Sequence, residues 1–383
     1  MSQMIVPFHK PFINDDEITA VTECMRDGWL TMGKRTFEFE TLFKEKVNAK
    51  HAAAVNSCTA ALHLALCCAE IKEGDEVIIP TTTFVATAET VKYFKAVPVL
   101  AEIDKDTHLI DVADLESKIT PKTKAIIPVH YAGQACDMDE ILSIAQKHNI
   151  YVIEDAAHSF PASYKGRAIG SIGDATCFSF YATKTITTGE GGMITTHRED
   201  WCERIRRLRL HGISSDAWKR YSKEGSWRYD VTETGYKYNT TDISAAIGIE
   251  QLKKAGLMLE YRRKIASIYD DAFNAHDAVI PYKIKSDRES AYHLYPLRLN
   301  IEALKISRDQ FIEKLNALGI ITSVHFIPLY EFTAYKSSIN NAELFPASKW
   351  VFERVLSLPI YAGMSDDEIG YVVESVLDVL KLS

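Results

Sequence analysis

Three short segments hold residue types whose spacing is able to do chemistry. The first is NSCTAALHLAL, residues 56–66, which follows an apolar stretch. Ser57 is a favoured N-cap residue, Thr59 falls in the first turn, and the apolar spacing beyond them is helical. The unpaired amides of such a helix start point into a crevice and suit an anion, although the same residues would serve equally as a plain cap. The second is IYVIEDAAHSF, residues 150–160, where an apolar strand ends in Glu154 and Asp155. An acid at the carboxyl end of a parallel strand lies where open α/β sheets bind ligands, and a helix-capping role for Asp155 is the competing reading. The third is TCFSFYATKTITTGEGGMITT, residues 176–196: a strand expected to end at Tyr181, Lys184 in a threonine-rich loop, a glycine turn from Gly189 to Gly192, and another strand. No acid precedes Glu190 to pair with this lysine. A desolvated lysine has a lowered pKa and condenses with aldehydes. The glycines are no dinucleotide fingerprint, because GEGGMI lacks the third glycine and leads into a strand.

An anion cup, an acid and an amine are together what pyridoxal 5'-phosphate requires: a phosphate site, a partner for the ring nitrogen and an amine for the aldehyde. A fourth segment, TTTFVATAET at 81–90, offers Phe84 as a ring to lie against the cofactor, with ordinary core packing as the alternative.

These segments need a scaffold, and the chain supplies an α/β rhythm. Short β-branched stretches at 52–55, 76–80, 97–103, 124–129, 150–155, 176–181 and 192–196 alternate with helix-like segments or loops. Continuous rather than alternating apolar strands indicate a sheet buried on both faces, so residues from about 40 to 245 read as a mostly parallel central sheet flanked by helices. Beyond it come a long charged helix (242–275), YHLYPLRL (292–299), a helix-like segment (309–319), ITSVHF (321–326) and a final helix near 366–381. The expected division is a large domain of residues 1–245 and a smaller α+β domain of 246–383. Ser222–Val231 reads as an excursion loop rich in aromatic and basic residues.

Composition bounds the function. The chain has 383 residues, 46% hydrophobic and 25% charged, with 18 Gly and 12 Pro, which are globular averages and exclude collagen-like or disordered classes. Forty-four Lys plus Arg against 52 Asp plus Glu leave a net charge of −8, which argues against nucleic acid or an anionic membrane as a partner. The opening MSQMIVPFHK lacks a charged segment followed by an apolar one, and no apolar run approaches a membrane span, so a cytoplasmic location is expected. The seven cysteines form no CxxC pair. They are expected to be reduced thiols, and no metal site is expected.

The ordered run DGWLTMGKRTFEFE (27–40), NSCTAALHLAL, TTTFVAT, KAIIPVHYAGQACDM, VIEDAAHSFPASYKG, SFYATKTITTGEGG, GYKYNTTDISAAIGIEQL and LSLPIY (356–361) resembles the DegT/DnrJ/EryC1/StrS family of nucleotide-sugar aminotransferases. The resemblance covers nearly the whole chain and implies a pyridoxal phosphate-dependent transferase of fold type I. By that resemblance Lys184 is the catalytic lysine that holds the cofactor covalently and later moves protons. Asp155 pairs with the ring nitrogen, Thr59, Ala60 and Ser179 bind the phosphate, and Phe84 stacks on the ring. His158 lies near the cofactor's hydroxyl side. The segment GYKYN is similar to a family loop that crosses to the neighbouring subunit's cofactor phosphate, which implicates Asn239 and Lys237. Two departures stand out: Cys58 replaces a small Gly or Ala, and GYKYN replaces the commoner GYNYR.

The GYKYN form, with SSDAWKRY (214–221), is closer to the branch acting on UDP-linked 4-keto sugars, in which the products are 4-amino-4-deoxyarabinose or 4-amino-4,6-dideoxyhexose units. The implied reaction has two halves. L-glutamate converts the cofactor to pyridoxamine 5'-phosphate, which then aminates a nucleotide-diphosphate keto sugar. Candidate substrate-binding groups are Lys34, Arg35, Arg220, Trp227 and Arg228, with His293, His325 and Tyr330 facing the site from the small domain. Sites shared across an interface imply a homodimer. Alternative readings are a C3 aminotransferase of a dTDP-keto sugar, a non-catalytic binding or regulatory protein on the same fold, and a fold type I enzyme acting on amino acids. A dehydratase branch carries His at the lysine position and is disfavoured by Lys184.

Overall fold

The computed structural model describes residues 4–213, 229–336 and 342–381. Helices α1 (Asp15–Asp27) and α2 (Lys34–Lys46) precede β1 (His51–Val55), and strands and helices then alternate. They run α3 (Cys58–Cys68), β2 (Glu76–Pro80), α4 (Val85–Lys92), β3 (Val97–Ala101), α5 (Val112–Ser117), β4 (Thr123–Ile126), α6 (Met138–His148) and β5 (Tyr151–Asp155). Two short strands, β6 (Ser163–Tyr164) and β7 (Arg167–Ala168), lead to β8 (Ala175–Ser179), β9 (Gly192–Thr196) and α7 (Glu199–Leu208). The long helix α8 (Asp242–Phe273) opens the remainder: β10 (Val279–Ile280), β11 (Arg288–Glu289), β12 (Tyr295–Leu299), α9 (Arg308–Ala317), α10 (Thr333–Lys336), α11 (Pro346–Phe352), β13 (Val355–Leu358) and α12 (Asp366–Lys381).

The central sheet has the order β1-β9-β8-β5-β4-β2-β3. Only β9 runs against the others, pairing antiparallel with both β1 and β8. Its strands are mostly apolar because each face is covered. On β2, Ile78 joins the core beneath α2, α6 and α8, whereas Val77 and Ile79 join the core beneath α3, α4 and α7. Val152 and Ile153 of β5 divide in the same way, as the period of two along a strand requires.

A third apolar cluster joins the end of α8 to β10, β12, β13, α9 and α12. Val6 belongs to this cluster and exchanges backbone hydrogen bonds with Gly319 and Ile321, at 2.9 and 3.0 Å. In the other direction, Leu329, Tyr330, Tyr335 and Phe345 pack into the core beneath α3. Chain-distant segments thus cross between the two halves of the molecule.

One strand ends earlier than its apolar run suggests. β8 stops at Ser179, opposite Gly192 of β9, rather than at Tyr181. The chain leaves the sheet because Thr188 N–H donates to Phe180 O at 2.9 Å, and Lys184 N–H donates to Tyr181 O at 2.9 Å, closing a loop that contains the lysine. No helix among the described residues is long and apolar enough to cross a membrane.

Candidate active site

A cavity of about 570 Å³ opens where the parallel strands end. Each strand delivers its next residues to this rim: β1 brings Ser57, Cys58 and Thr59, β2 brings Thr83 and Phe84, β4 brings Val129, β5 brings Asp155 and His158, and β8 brings Ser179 and Lys184. This is the position at which open α/β sheets bind ligands, because the connections splay apart there. From the other half of the molecule come His293, Ser323, Val324, His325 and Phe326, and the N-terminal segment adds Phe8.

The first turn of α3 is built as the sequence suggests. Ser57 has extended backbone angles, and its hydroxyl accepts from Ala60 N–H at 3.1 Å. Thr59 lines the cavity. Ala60 is buried and does not line it, since its amide is engaged by the cap. The β9 strand passes so close to this turn that a Cβ on Gly192 would lie 2.5 Å from the Ser57 carbonyl carbon and oxygen. Glycine at this position lets the sheet touch the helix start.

Lys184 sits among apolar and neutral groups, and burial lowers its pKa to about 8, against the opposing pull of Cys58 and Asp155. An appreciable fraction of its amine is therefore uncharged at neutral pH, and an uncharged amine is nucleophilic. Asp155 is 5% exposed. Its Oδ1 accepts from Ala157 N–H at 3.1 Å and its Oδ2 from the Thr87 hydroxyl at 2.9 Å. Burial raises its pKa, and the two donors and Lys184 offset part of that rise.

Adjacent Glu154 points to the opposite side of β5. It accepts from Gly173 N–H at 2.7 Å and the Thr176 hydroxyl at 2.6 Å, and it pairs with His130 at 2.9 Å. The sequence places two acids at this strand end; alternation along the strand gives the cavity to Asp155 alone.

Imidazoles form one wall. The rings of His158 and His293 lie 4.4 Å apart, and His158 packs against Phe326 with 5.6 Å between ring centres. His325 Nδ1 is 2.9 Å from the Ser357 hydroxyl, and its ring stacks on Phe8. Burial holds His158 and His293 well below the usual histidine range and His325 at about 4, with Lys184 adding repulsion, so these rings are neutral hydrogen-bonding groups. His9 is lowered to about 3 by burial, Arg262 and Lys184.

The structure brings Thr59, Phe84, Asp155, His158, Ser179, Lys184, His293 and His325 together on one cavity. Other sequence candidates lie elsewhere. Lys34 and Arg35 line a separate surface pocket with Asp27, Trp29, Glu38 and Asp242, and Arg35 pairs with Asp27 at 2.7 Å. Tyr330 is a core residue: it stacks on Phe345, and its hydroxyl is 3.1 Å from that of Ser348. Asn239 bridges to Val55 at the end of β1 and donates to Thr240 O at 2.9 Å, outside the cavity lining. Its buried Oδ1 has no partner among the described residues. Arg220, Trp227 and Arg228 fall outside the described residues.

Sequence reasoning missed Phe8, Thr83, Tyr181, Glu190 and Phe326 as lining residues. Phe8 is remote in the chain and carries no local signal. Thr83 had one: three successive threonines directly after an apolar strand.

Pyridoxal phosphate fits this set. The amine and the acid occupy one cavity with the capped start of α3, and Phe84, 59% exposed, stands at its rim with its ring centre 6.3 Å from that of Phe326. His158 Nδ1 is buried without a partner among the described residues. Such a group is left for a ligand to satisfy.

Residues 11–377 match the DegT/DnrJ/EryC1/StrS aminotransferase family. The chain is 47% identical over 378 residues to the spore coat polysaccharide biosynthesis protein SpsC of Bacillus subtilis, covering 98% of this chain and 97% of that one. It is 52% identical over 379 residues to the uncharacterized protein MJ1066 of Methanocaldococcus jannaschii, covering 99% and 98%. Its fold superposes with a TM-score of 0.92 on the sugar aminotransferase Spr1654 of Streptococcus pneumoniae in its PMP form, at 34% identity and covering 99% and 98%. That protein has also been solved in a PLP form.

Proposed function

The chain belongs to the DegT/DnrJ/EryC1/StrS aminotransferase family, a pyridoxal phosphate-dependent family, and from that premise we propose that it moves the amino group of L-glutamate to the 4-keto carbon of a nucleotide-linked sugar. The observation that carries this reading is the convergence of Lys184, Asp155 and the start of α3 on one cavity. Bound there, pyridoxal phosphate supplies an aldehyde to receive the amino group and an electron-poor ring to stabilise charge at the reacting carbon.

The protein residues divide the remaining work. Lys184 Nζ would hold the cofactor through its aldehyde, and its free amine would serve as the base for the proton transfer beside it. Asp155 would meet the ring nitrogen and favour its protonated form. Thr59 and Ser179 bind the phosphate at the start of α3, where the helix dipole favours an anion. Phe84 would cover the ring and exclude water from it. His158 would orient the ring hydroxyl. The neutral wall of His293 and His325 suits an uncharged, hydroxylated sugar, because neutral imidazoles donate or accept single hydrogen bonds without demanding a counter-charge.

UDP is the proposed carrier, on the strength of GYKYN and the 214–221 segment, and a surface glycan is the proposed destination, supported by the likeness to SpsC, a spore coat polysaccharide biosynthesis protein. The active form is proposed to be a cytoplasmic homodimer in which Asn239 and Lys237 serve the neighbouring site. Both groups lie outside the cavity of their own chain.

The test is the near-visible absorption of the purified protein with pyridoxal phosphate, before and after L-glutamate. A band that bleaches with glutamate in the natural chain and not in Lys184→Ala supports the first half-reaction. Turnover of UDP-4-keto sugars, set against dTDP-3-keto sugars, then decides the acceptor. No band in the presence of the cofactor would defeat the reading.

A further inference from the structure

The acid of this site is held by a chain of hydroxyls. Thr87 lies in the first turn of α4, and Thr83 precedes the N-cap residue Phe84, so the chain entering the helix brings the two side chains together. Their hydroxyl oxygens are 2.8 Å apart, and the Thr87 hydroxyl donates to Asp155 Oδ2 at 2.9 Å. A hydroxyl has one proton. Because Thr87 gives its proton to the carboxylate, Thr83 must donate to Thr87. The chain therefore runs in one direction, from Thr83 at the cavity wall to Asp155. All three side chains are buried, with Thr83 1% and Thr87 0% exposed.

We propose that Thr87, backed by Thr83, is a positioning residue for Asp155: it fixes the carboxylate in one rotamer and keeps it ionised toward the cofactor nitrogen. The inference rests on the reading that Asp155 meets that nitrogen. Two donors grip two different oxygens of the carboxylate, Ala157 N–H on Oδ1 and Thr87 on Oδ2, so the group has no freedom to rotate about its last bond.

The surroundings make the ionised form costly. Asp155 faces Lys184 from the loop after β8, His130 from the segment after β4, Cys58 of α3 and Cys177 of β8. Lys184 favours the carboxylate, whereas burial opposes it and is the largest influence. Removing the Thr87 donor leaves burial less opposed, and the proton then moves onto Asp155 at higher pH.

The experiment uses the full-length chain freed of cofactor, with Asp155 followed by carboxylate infrared difference against Asp155→Asn. Thr87→Val keeps the shape of threonine and deletes the hydroxyl. It is expected to raise the Asp155 midpoint by about one pH unit, the size of one lost charge-assisted hydrogen bond. The pH below which pyridoxal phosphate affinity falls should rise by the same amount. Thr87→Ser should restore the natural midpoint, and Thr83→Val should give a smaller shift in the same direction. A Thr87→Val midpoint equal to that of the natural chain, whether or not the melting temperature drops, would overturn the proposal. Failure of the natural chain to bind pyridoxal phosphate would instead count against the function proposed above, and the cofactor-free titration would still decide the role of Thr87.

Discussion

His130 Nε2 donates to Glu154 Oε2 over 2.9 Å, with neither side chain exposed to solvent. The direction follows from the other ring nitrogen: Cys136 N–H donates to His130 Nδ1 at 3.0 Å, so Nδ1 is the acceptor and the ring proton resides on Nε2. Glu154 is thus an ionised carboxylate with three donors, and those donors pull its pKa below the usual carboxylate value against the cost of burial. It locks β5 to the segments on either side and so sets the strand end on which Asp155 is mounted.

Glu154→Gln should destabilise the fold by about 3 kcal/mol at neutral pH, the scale for breaking a buried charged network by changing one member. The sign of the pH dependence follows from the lowered pKa. The stabilisation is present above the unfolded value and fades as pH falls through the lower folded value, so the gap between natural chain and variant narrows below pH 4.5. Urea midpoints of both proteins across that range check it.

Capture of pyridoxal phosphate by the cofactor-free protein should accelerate as pH rises and level off above about 8, because only the uncharged Lys184 amine attacks. Stopped-flow absorbance across pH 6 to 10 measures this. The lowered pKa also means that the folded state holds the lysine proton less tightly than the unfolded chain does. Relative to Lys184→Met, the cofactor-free protein should therefore gain stability as pH climbs from about 8 to 10.5.

Gly192→Ala should damage the anion cup without touching a reacting group. The added Cβ would meet the Ser57 carbonyl at 2.5 Å and Cys58 N at 2.8 Å, both backbone atoms, so the start of α3 must move. Overpacking of this kind costs about 1–3 kcal/mol. The diagnostic is affinity for pyridoxal phosphate compared with pyridoxal: the variant should lose most of the preference for the phosphorylated form.

Tyr131→Phe should act on the histidine wall from behind. The Tyr131 hydroxyl donates to His325 O at 2.7 Å and anchors the turn that presents His325 and Phe326 to the cavity. Loss of this bond should cost about 1 kcal/mol of stability. Steady-state kinetics should show a higher KM for the sugar acceptor and a smaller change in kcat.

The dimer reading has a test of its own. Lys184→Ala and Asn239→Ala chains, each inactive alone, should regain activity when unfolded and refolded together, because a mixed dimer contains one site with both groups intact. Absence of recovery, with mixed dimers shown to form, would place Asn239 outside the neighbouring site.

Local chemistry by itself determined a good part of this protein. The α/β alternation, the cap at Ser57 and the final helix were legible, because they depend on neighbours within a few residues. Lys184 and the strand-end acids stood out for the same reason.

Only the tertiary structure decided the rest. It turned Glu154 away from the cavity that Asp155 enters, because the face of a strand is defined by what packs on each side. It gathered His158, His293, His325 and Phe8 from distant parts of the chain, and it joined Thr87 to Asp155 across 68 residues. It turned Tyr330 into the core and set Lys34 and Arg35 apart from the cavity. A cluster formed by long-range packing leaves no period or spacing in the sequence, so it becomes visible only once the strands have brought their ends together.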